Sequence, residues 1–496
     1  MISIELLLFI ASILFLIIYK HLKTFNYWTE RGVYSPKPVP FFGNAYKILT
    51  FTKHASEVFK ELYDQTDEPY LGIFLFDKPF LLLKDPKLIK RILLKDAHLF
   101  KDRTIAPSTN NEIFRNFLLM CRGARWKKLR DQVSPLFTSG KLKTMIGEIN
   151  RVSDELMHHI SQRGNPLCVR ELYSSFITEA TARALFNINT DCLKSDQSGF
   201  KKIIRKIFNP SLKTLLLQML YFVKASWVNY LGFDFVDNTA TTFLTRLLNE
   251  AIETRELVTG GKSKNIVDVM LQNKKTGDEG FGKNGHVASG LQLLVAGVDT
   301  TSTGIAWFTY EMGQNPEIQD RLRSEIIEVL KKYNGEITWE AIHEMKYLDI
   351  CYLEVLRRHP FVPFVERQAA EDYKVEETGL VIEKGTATMI PLFSLFLDEN
   401  HFENPFEFNP ERFASSNHAN TNNTGLVFMP FGAGHRLCLG ERFAILATKQ
   451  VVITTLLHYR LEKCEQTPAY PPKYDPKSTF LCCEGGIPMK FIKIHN

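Results

Sequence analysis

Residues 430–444 read PFGAGHRLCLGERFA, and the reading of this stretch decides the rest of the chain. Cys438 lies between Gly434 and Gly440, two residues after Arg436 and just ahead of ERFAILATKQVV, whose apolar residues recur at helical spacing. A cysteine before a helix meets unpaired N–H groups and the positive end of the helix dipole, and both favour the thiolate. Glycines on either side let the backbone approach a flat, bulky ligand. Arg436 is then within reach of an anionic edge of that ligand. The plain alternative is a buried, inert thiol.

The 496 residues exceed one ordinary core, show no internal repeat, and are 45% hydrophobic and 23% charged, which excludes a disordered scaffold. A net charge of +6 is too dilute over this length for nucleic-acid binding, but it suits an acidic protein partner or anionic lipid. Eight cysteines at irregular spacings, without a CxxC pair or a zinc-like cluster, point to a reducing, cytosol-facing body. Residues 6–19, LLLFIASILFLIIY, carry no charge, and the wider apolar segment has about the 18 residues that a bilayer-spanning helix needs. With no basic region before it and no cleavage site after it, the segment reads as an anchor and not a cleaved signal. Lys20, Lys23 and Arg31 follow it, which leaves the body on the cytosolic side.

The chain therefore divides into a membrane anchor at 1–25, a linker to residue 44 stiffened by Pro36, Pro38 and Pro40, and a catalytic domain at 45–496. Helical spacing marks 140–160, 168–187, 241–257, 285–312, 316–333 and 441–457. Strand-like pieces are few: 69–75, 80–83, 375–382, 386–390 and 490–494. The expected fold is mainly α with a small β-rich subregion built from the two ends of the chain. Residues 190–235 read as a mobile cover or a second membrane-touching patch.

The pattern F-x-x-G-x-R-x-C-x-G, met by Phe431, Gly434, Arg436, Cys438 and Gly440, resembles the haem-binding loop of the cytochrome P-450 family. Separate stretches agree with it in the family's order, from the anchor to the last strand. LLVAGVDTTSTGIAWF is similar to the family's long central helix, where Gly297 and Thr300 share a face and leave room for dioxygen. Asp299 and Thr300 resemble its proton-delivering acid and alcohol. Glu354 and Arg357 of CYLEVLRRHP, with Arg412 of FNPERF, resemble its structural triad. Trp126, Arg130, Arg367 and Arg436, with Arg103 as a weaker candidate, match contacts to the haem propionates, because two buried carboxylates require cations.

The resemblance implies the cytochrome P-450 fold, with haem b held between the central helix and the helix after Cys438. It also implies a monooxygenase that draws electrons from NADPH through a membrane reductase, with cytochrome b5 as a further partner. The reductase would dock on a basic face of Lys127, Lys128, Lys141, Lys143, Arg442 and Lys449. A large apolar pocket for lipophilic substrates would draw on Phe114, Phe117, residues 205–235, Ala296, Thr301, Val362, Val365 and Phe480. WKKLR, SPLFTSGKLK, NPERF and DYKVEETGLVIEKGT are most similar to the microsomal group that includes insect and vertebrate xenobiotic oxidases, which places the protein in the endoplasmic reticulum membrane.

Three departures stand out. AGVDTTS has wording common in the mitochondrial group, His435 stands where proline is frequent, and Phe361 replaces a frequent second proline after Pro360. An apolar N-terminus that is not Arg-rich argues against mitochondrial import. Two rivals share the cysteine: a haem-thiolate isomerase or dehydratase that needs no dioxygen, and a non-catalytic haem sensor or carrier.

Overall fold

One helix, Gly285–Gln314, spans 30 residues and so runs for about 45 Å through the molecule. It stops where Asn315 caps the next helix and Pro316, which lacks an N–H, takes that helix's first position. This computed structural model describes residues 22–105, 112–208, 211–223, 230, 238–257, 266–276, 285–414 and 426–494. Residues 301–313 of the central helix are all buried, so its sequence is apolar or internally satisfied on every side there. Helices Ser139–Ser161, Val169–Thr181, Asn238–Leu257, Ile266–Thr276, Pro316–Lys332, Lys346–Arg358 and Glu441–His458 surround it. The six helices expected from apolar spacing are all present, with ends shifted by a few residues.

The strands form three small sheets. The first runs Tyr70–Leu75, Lys78–Leu83, Ala387–Pro391, Phe364–Gln368, with the two middle strands parallel and the outer pairs antiparallel. The second runs Leu167–Cys168, Pro488–Lys493, Tyr459–Lys463. The β-rich part is thus not one subregion joining the chain ends, since the first hairpin and the last strand belong to different sheets. Residues 375–382 are also not one strand: Tyr373–Lys374 pairs with Val381–Ile382 across a turn in which Gly379 has φ +74°.

The segment read as a linker packs onto the body. Trp28 is 1% exposed and lies over Gly72, where a Cβ would collide with its indole. Its Nε1 donates to the Ile73 carbonyl at 3.2 Å. The anchor segment at 6–19 lies outside the described residues, among which no helix is long and apolar enough to cross a membrane. Of residues 190–235, helices Gly199–Phe208 and Leu212–Val223 are described.

Candidate active site

Gly434 shapes the loop around the cysteine. It adopts φ +73°, and a side chain there would collide with the Leu93 carbonyl oxygen. One turn of tight helix, Gly434–Arg436, follows; then Cys438 N donates back to the Phe431 carbonyl at 3.0 Å, and Glu441–His458 begins. This folds the loop over itself and leaves the sulfur projecting. Cys438 is an exposed residue, yet surrounding protein is dense enough for burial to push its thiol up, so the sulfur faces an interior opening. The Gly440 N–H, Arg103 and Arg130 pull the other way but do not win. A bound metal cation would add to the Gly440 N–H, Arg103 and Arg130 in favouring the thiolate.

The central helix also has an incompletely covered side. Leu293, Ala296, Gly297 and Thr300, at i, i+3, i+4 and i+7, form one incompletely covered stripe between buried neighbours. A Cβ on Gly297 would meet nothing within 4 Å. Thr300 Oγ1 donates to the Ala296 carbonyl at 2.8 Å. One turn on, Gly304 receives the Phe361 ring, and Phe361 in turn lies edge-on to Phe431 with centroids 6.5 Å apart. That chain of contacts registers the stripe against the cysteine loop.

Asp299 and Thr300, read as a pair, point to different sides. Asp299 is 6% exposed and accepts from Arg170 Nη2 at 3.0 and 3.3 Å. Burial raises its pKa, and Arg170 opposes the rise.

Four guanidinium groups converge behind the cysteine. Arg436 is held by Asp102 at 2.7 Å and by the carbonyls of Lys101 and Cys121, over the ring of Trp126. Arg367 is 1% exposed and donates to the Glu366 and Ala433 carbonyls at 2.8 and 3.2 Å. Arg130 donates to the Leu437 carbonyl at 2.9 Å. Burial lowers the pKa of these three and of Arg103, to about 9 for Arg367 and about 10 for Arg436, and neighbouring arginines lower Arg130, Arg367 and Arg436 further. The acidic groups that oppose them are Asp102 and Glu366, and Glu366 also accepts from Thr104 N and Oγ1. The surplus of buried positive charge calls for an anion, and the two propionates of haem fit it. An open cysteine sulfur, a helix stripe with a glycine gap at Gly297 and a cationic wall are together what a thiolate-ligated haem requires.

The triad is formed. Arg357 grips Glu354 with Nε and Nη2, both at 2.8 Å, and Arg412 Nε reaches the same carboxylate at 3.0 Å. Arg357 also donates to the Phe396 and Pro405 carbonyls, tying the chain that leads to the cysteine loop onto helix Lys346–Arg358.

Other expectations change. Lys449 is not part of a basic docking face: it is 6% exposed and paired with Asp349, because its helix is buried along that side. Lys143 pairs with Glu340, while Lys127, Lys128 and Arg442 are exposed. Phe114, at 1% exposure, packs on Phe117, and Thr301, at 3%, lies on a different side of the helix from Thr300. Val362, Val365 and Phe480 are half-buried, and strand alternation puts Val365 on the face of Arg367. The sequence reading named Arg103 as a weaker candidate but missed its neighbours Lys101, Asp102 and Thr104. Lys101 accepts from both Arg436 and His435, Asp102 holds Arg436, and Arg103 lies near the cysteine.

The family model for cytochrome P450 matches residues 34–491. Among similar proteins, cytochrome P450 6j1 of Blattella germanica is 31% identical over 489 residues, covering 97% of this chain and 96% of its own. Cytochrome P450 6a2 of Drosophila melanogaster is 32% identical over 513 residues, with 99% of each chain covered. Cytochrome P450 6B1 of Papilio polyxenes is 32% identical over 498 residues, covering 96% of this chain and 97% of its own. With this match over most of its length, together with its mostly helical fold, its cysteine loop and its cationic wall, the chain belongs to the cytochrome P450 family.

Proposed function

We propose that this cytochrome P450, a haem b monooxygenase by family, inserts one oxygen atom from dioxygen into lipophilic small molecules, xenobiotic or endogenous. Electrons would come from NADPH through a membrane reductase, with the body on the cytosolic side of the endoplasmic reticulum, anchored by its N-terminus. The observation that carries this reading is the cluster of Arg103, Arg130, Arg367 and Arg436 around the open Cys438, with an incompletely covered stripe of Ala296, Gly297 and Thr300 on the central helix.

Haem, when bound, would supply the activation of dioxygen, and the Cys438 sulfur would hold its iron. Arg103, Arg130, Arg367 and Arg436 would hold its two carboxylates, with Trp126 stacked under Arg436. Gly297 leaves the volume a diatomic ligand needs. Thr300 holds a hydroxyl proton at Oγ1 beside that volume and passes it on by rotating away from the Ala296 carbonyl. Asp299 would resupply it by swinging from Arg170, and burial raises its pKa in the direction that favours carrying a proton. Val362, Val365 and Phe480 would exclude water and orient an apolar substrate. Lys127, Lys128 and Arg442 would face the reductase.

The test is reconstitution with an NADPH-dependent reductase and a lipophilic library. Product formation that requires both NADPH and dioxygen supports the proposal. Turnover without either marks an isomerase or dehydratase, and carbon-monoxide binding with no turnover marks a sensor.

A further inference from the structure

Residues 358–361, RHPF, are zipped onto one face of the central helix. Gly304, Trp307 and Glu311 recur at i, i+3 and i+7 and so share that face. At Gly304 the missing side chain is a notch: a Cβ there would stand 2.6 Å from Cζ of Phe361. At Trp307 the indole stacks on His359, with centroids 4.0 Å apart and planes 3° apart. At Glu311 the carboxylate accepts from His359 Nε2 at 2.6 Å and from Arg358 Nη1 at 2.9 and 3.0 Å. The same face then reaches the C-terminal turn, because Trp307 Nε1 donates to the Leu481 carbonyl at 2.7 Å. Leu481 N donates to the Phe361 carbonyl at 3.0 Å, which closes a ring of three segments.

Neither of the two outer segments has regular structure where it joins the ring. Residues 359–363 lie between helix Lys346–Arg358 and strand Phe364–Gln368, and residues 478–482 lie in an irregular turn. Without a ladder or helix of their own, their placement depends on side-chain contacts. Phe361 is followed by Val362, and Leu481 is preceded by Phe480. Gly304 lies one turn beyond Thr300.

We infer that this ring is the protein's specificity device: the fit of the Phe361 ring into the Gly304 notch, with the Trp307 to Leu481 bond, sets how far Val362 and Phe480 stand from Thr300. The inference rests on the reading of Val362 and Phe480 as pocket walls. A methyl group at 304 strikes the ring and pushes residues 361 and 362 outward, and the shared hydrogen bond carries Leu481 and Phe480 with them. The pocket then becomes deeper, and long ligands gain relative to short ones.

The experiment measures dissociation constants of the holoenzyme for butyl-, octyl- and dodecylimidazole from ligand-induced spectral shifts. In Gly304→Ala, the dodecyl-to-butyl affinity ratio should rise on the order of tenfold. Phe361→Leu added to it should restore the ratio, since the shorter side chain clears the methyl group. Trp307→Phe keeps an aromatic face toward His359 but loses the N–H and part of the indole; it should raise the ratio also, and it decides the matter if Gly304→Ala does not fold. Phe480→Ala and Val362→Ala test the pocket reading itself. If these two leave the ratio flat, the pocket reading falls and the inference with it. If they move the ratio while Gly304→Ala or Trp307→Phe leaves it unchanged, or if the double variant keeps the shifted ratio, only the ring's role is overturned.

Discussion

Replacing Glu354 with glutamine isolates what the buried triad does. The carboxylate is 0% exposed and accepts four hydrogen bonds: Arg357 Nε and Nη2 at 2.8 Å, Arg412 Nε at 3.0 Å and Asn409 N at 3.0 Å. Glutamine keeps the shape, retains one acceptor oxygen, and sets an N–H2 group against a guanidinium N–H. Arg357, itself 0% exposed, then keeps its charge with no anion beside it, only one amide oxygen and backbone carbonyls. Breaking a buried ion pair from one side costs about 3–5 kcal/mol, a large share of the ~5–15 kcal/mol by which a domain is stable. Arg412 is at the rim, so Arg412→Gln should cost about 1 kcal/mol. Removing both charges with Glu354→Met and Arg357→Met should recover only part of the loss, because the Phe396 and Pro405 carbonyls lose their donors. Urea unfolding of the purified holoprotein, with the haem-to-protein ratio at harvest, measures this. A Glu354→Gln protein destabilised by less than about 1 kcal/mol would refute the claim that this pair anchors the chain leading to the cysteine loop.

Further expectations follow from single contacts. Gly434→Ala puts a methyl group against the Leu93 carbonyl at φ +73°, and because backbone cannot yield as a side chain does, little haem-loaded protein should accumulate; a wild-type haem ratio would contradict the loop geometry. Arg367→Gln removes a buried cation without an ion-pair partner at its guanidinium, so haem transfer to apomyoglobin should quicken by on the order of tenfold or more while thermal unfolding changes little; parallel loss of both would mean that the residue is merely structural. Thr300→Ala should retain haem but divert NADPH consumption to peroxide, and unchanged coupling would remove the threonine from proton delivery.

The long helices were legible because their apolar spacing is continuous and local. Tyr459–Lys463 and Phe364–Gln368 were not, since YRLEK and FVERQ are charged and become strands only by pairing with distant segments. Glu376 to Gly379 looked like the middle of a strand, but Gly379 at positive φ turns the chain. Within the site, the cysteine loop and the triad are written as short motifs. Their partners are not: Asp102 and the carbonyl of Lys101 meet Arg436 from more than three hundred residues away. Lys449 was misread for the same reason, since its partner Asp349 lies on another helix. The glycine at 304 and the phenylalanine at 361 each look unremarkable until folding brings one into the other.

The most direct measurement is the reduced carbon-monoxide spectrum of Cys438→Ala beside the wild type. A wild-type band strongly shifted to the red and absent from the variant is the predicted result, because only a thiolate opposite the bound gas produces that shift. The same band in a variant without that sulfur would contradict the assignment of Cys438 and the mechanism built on it.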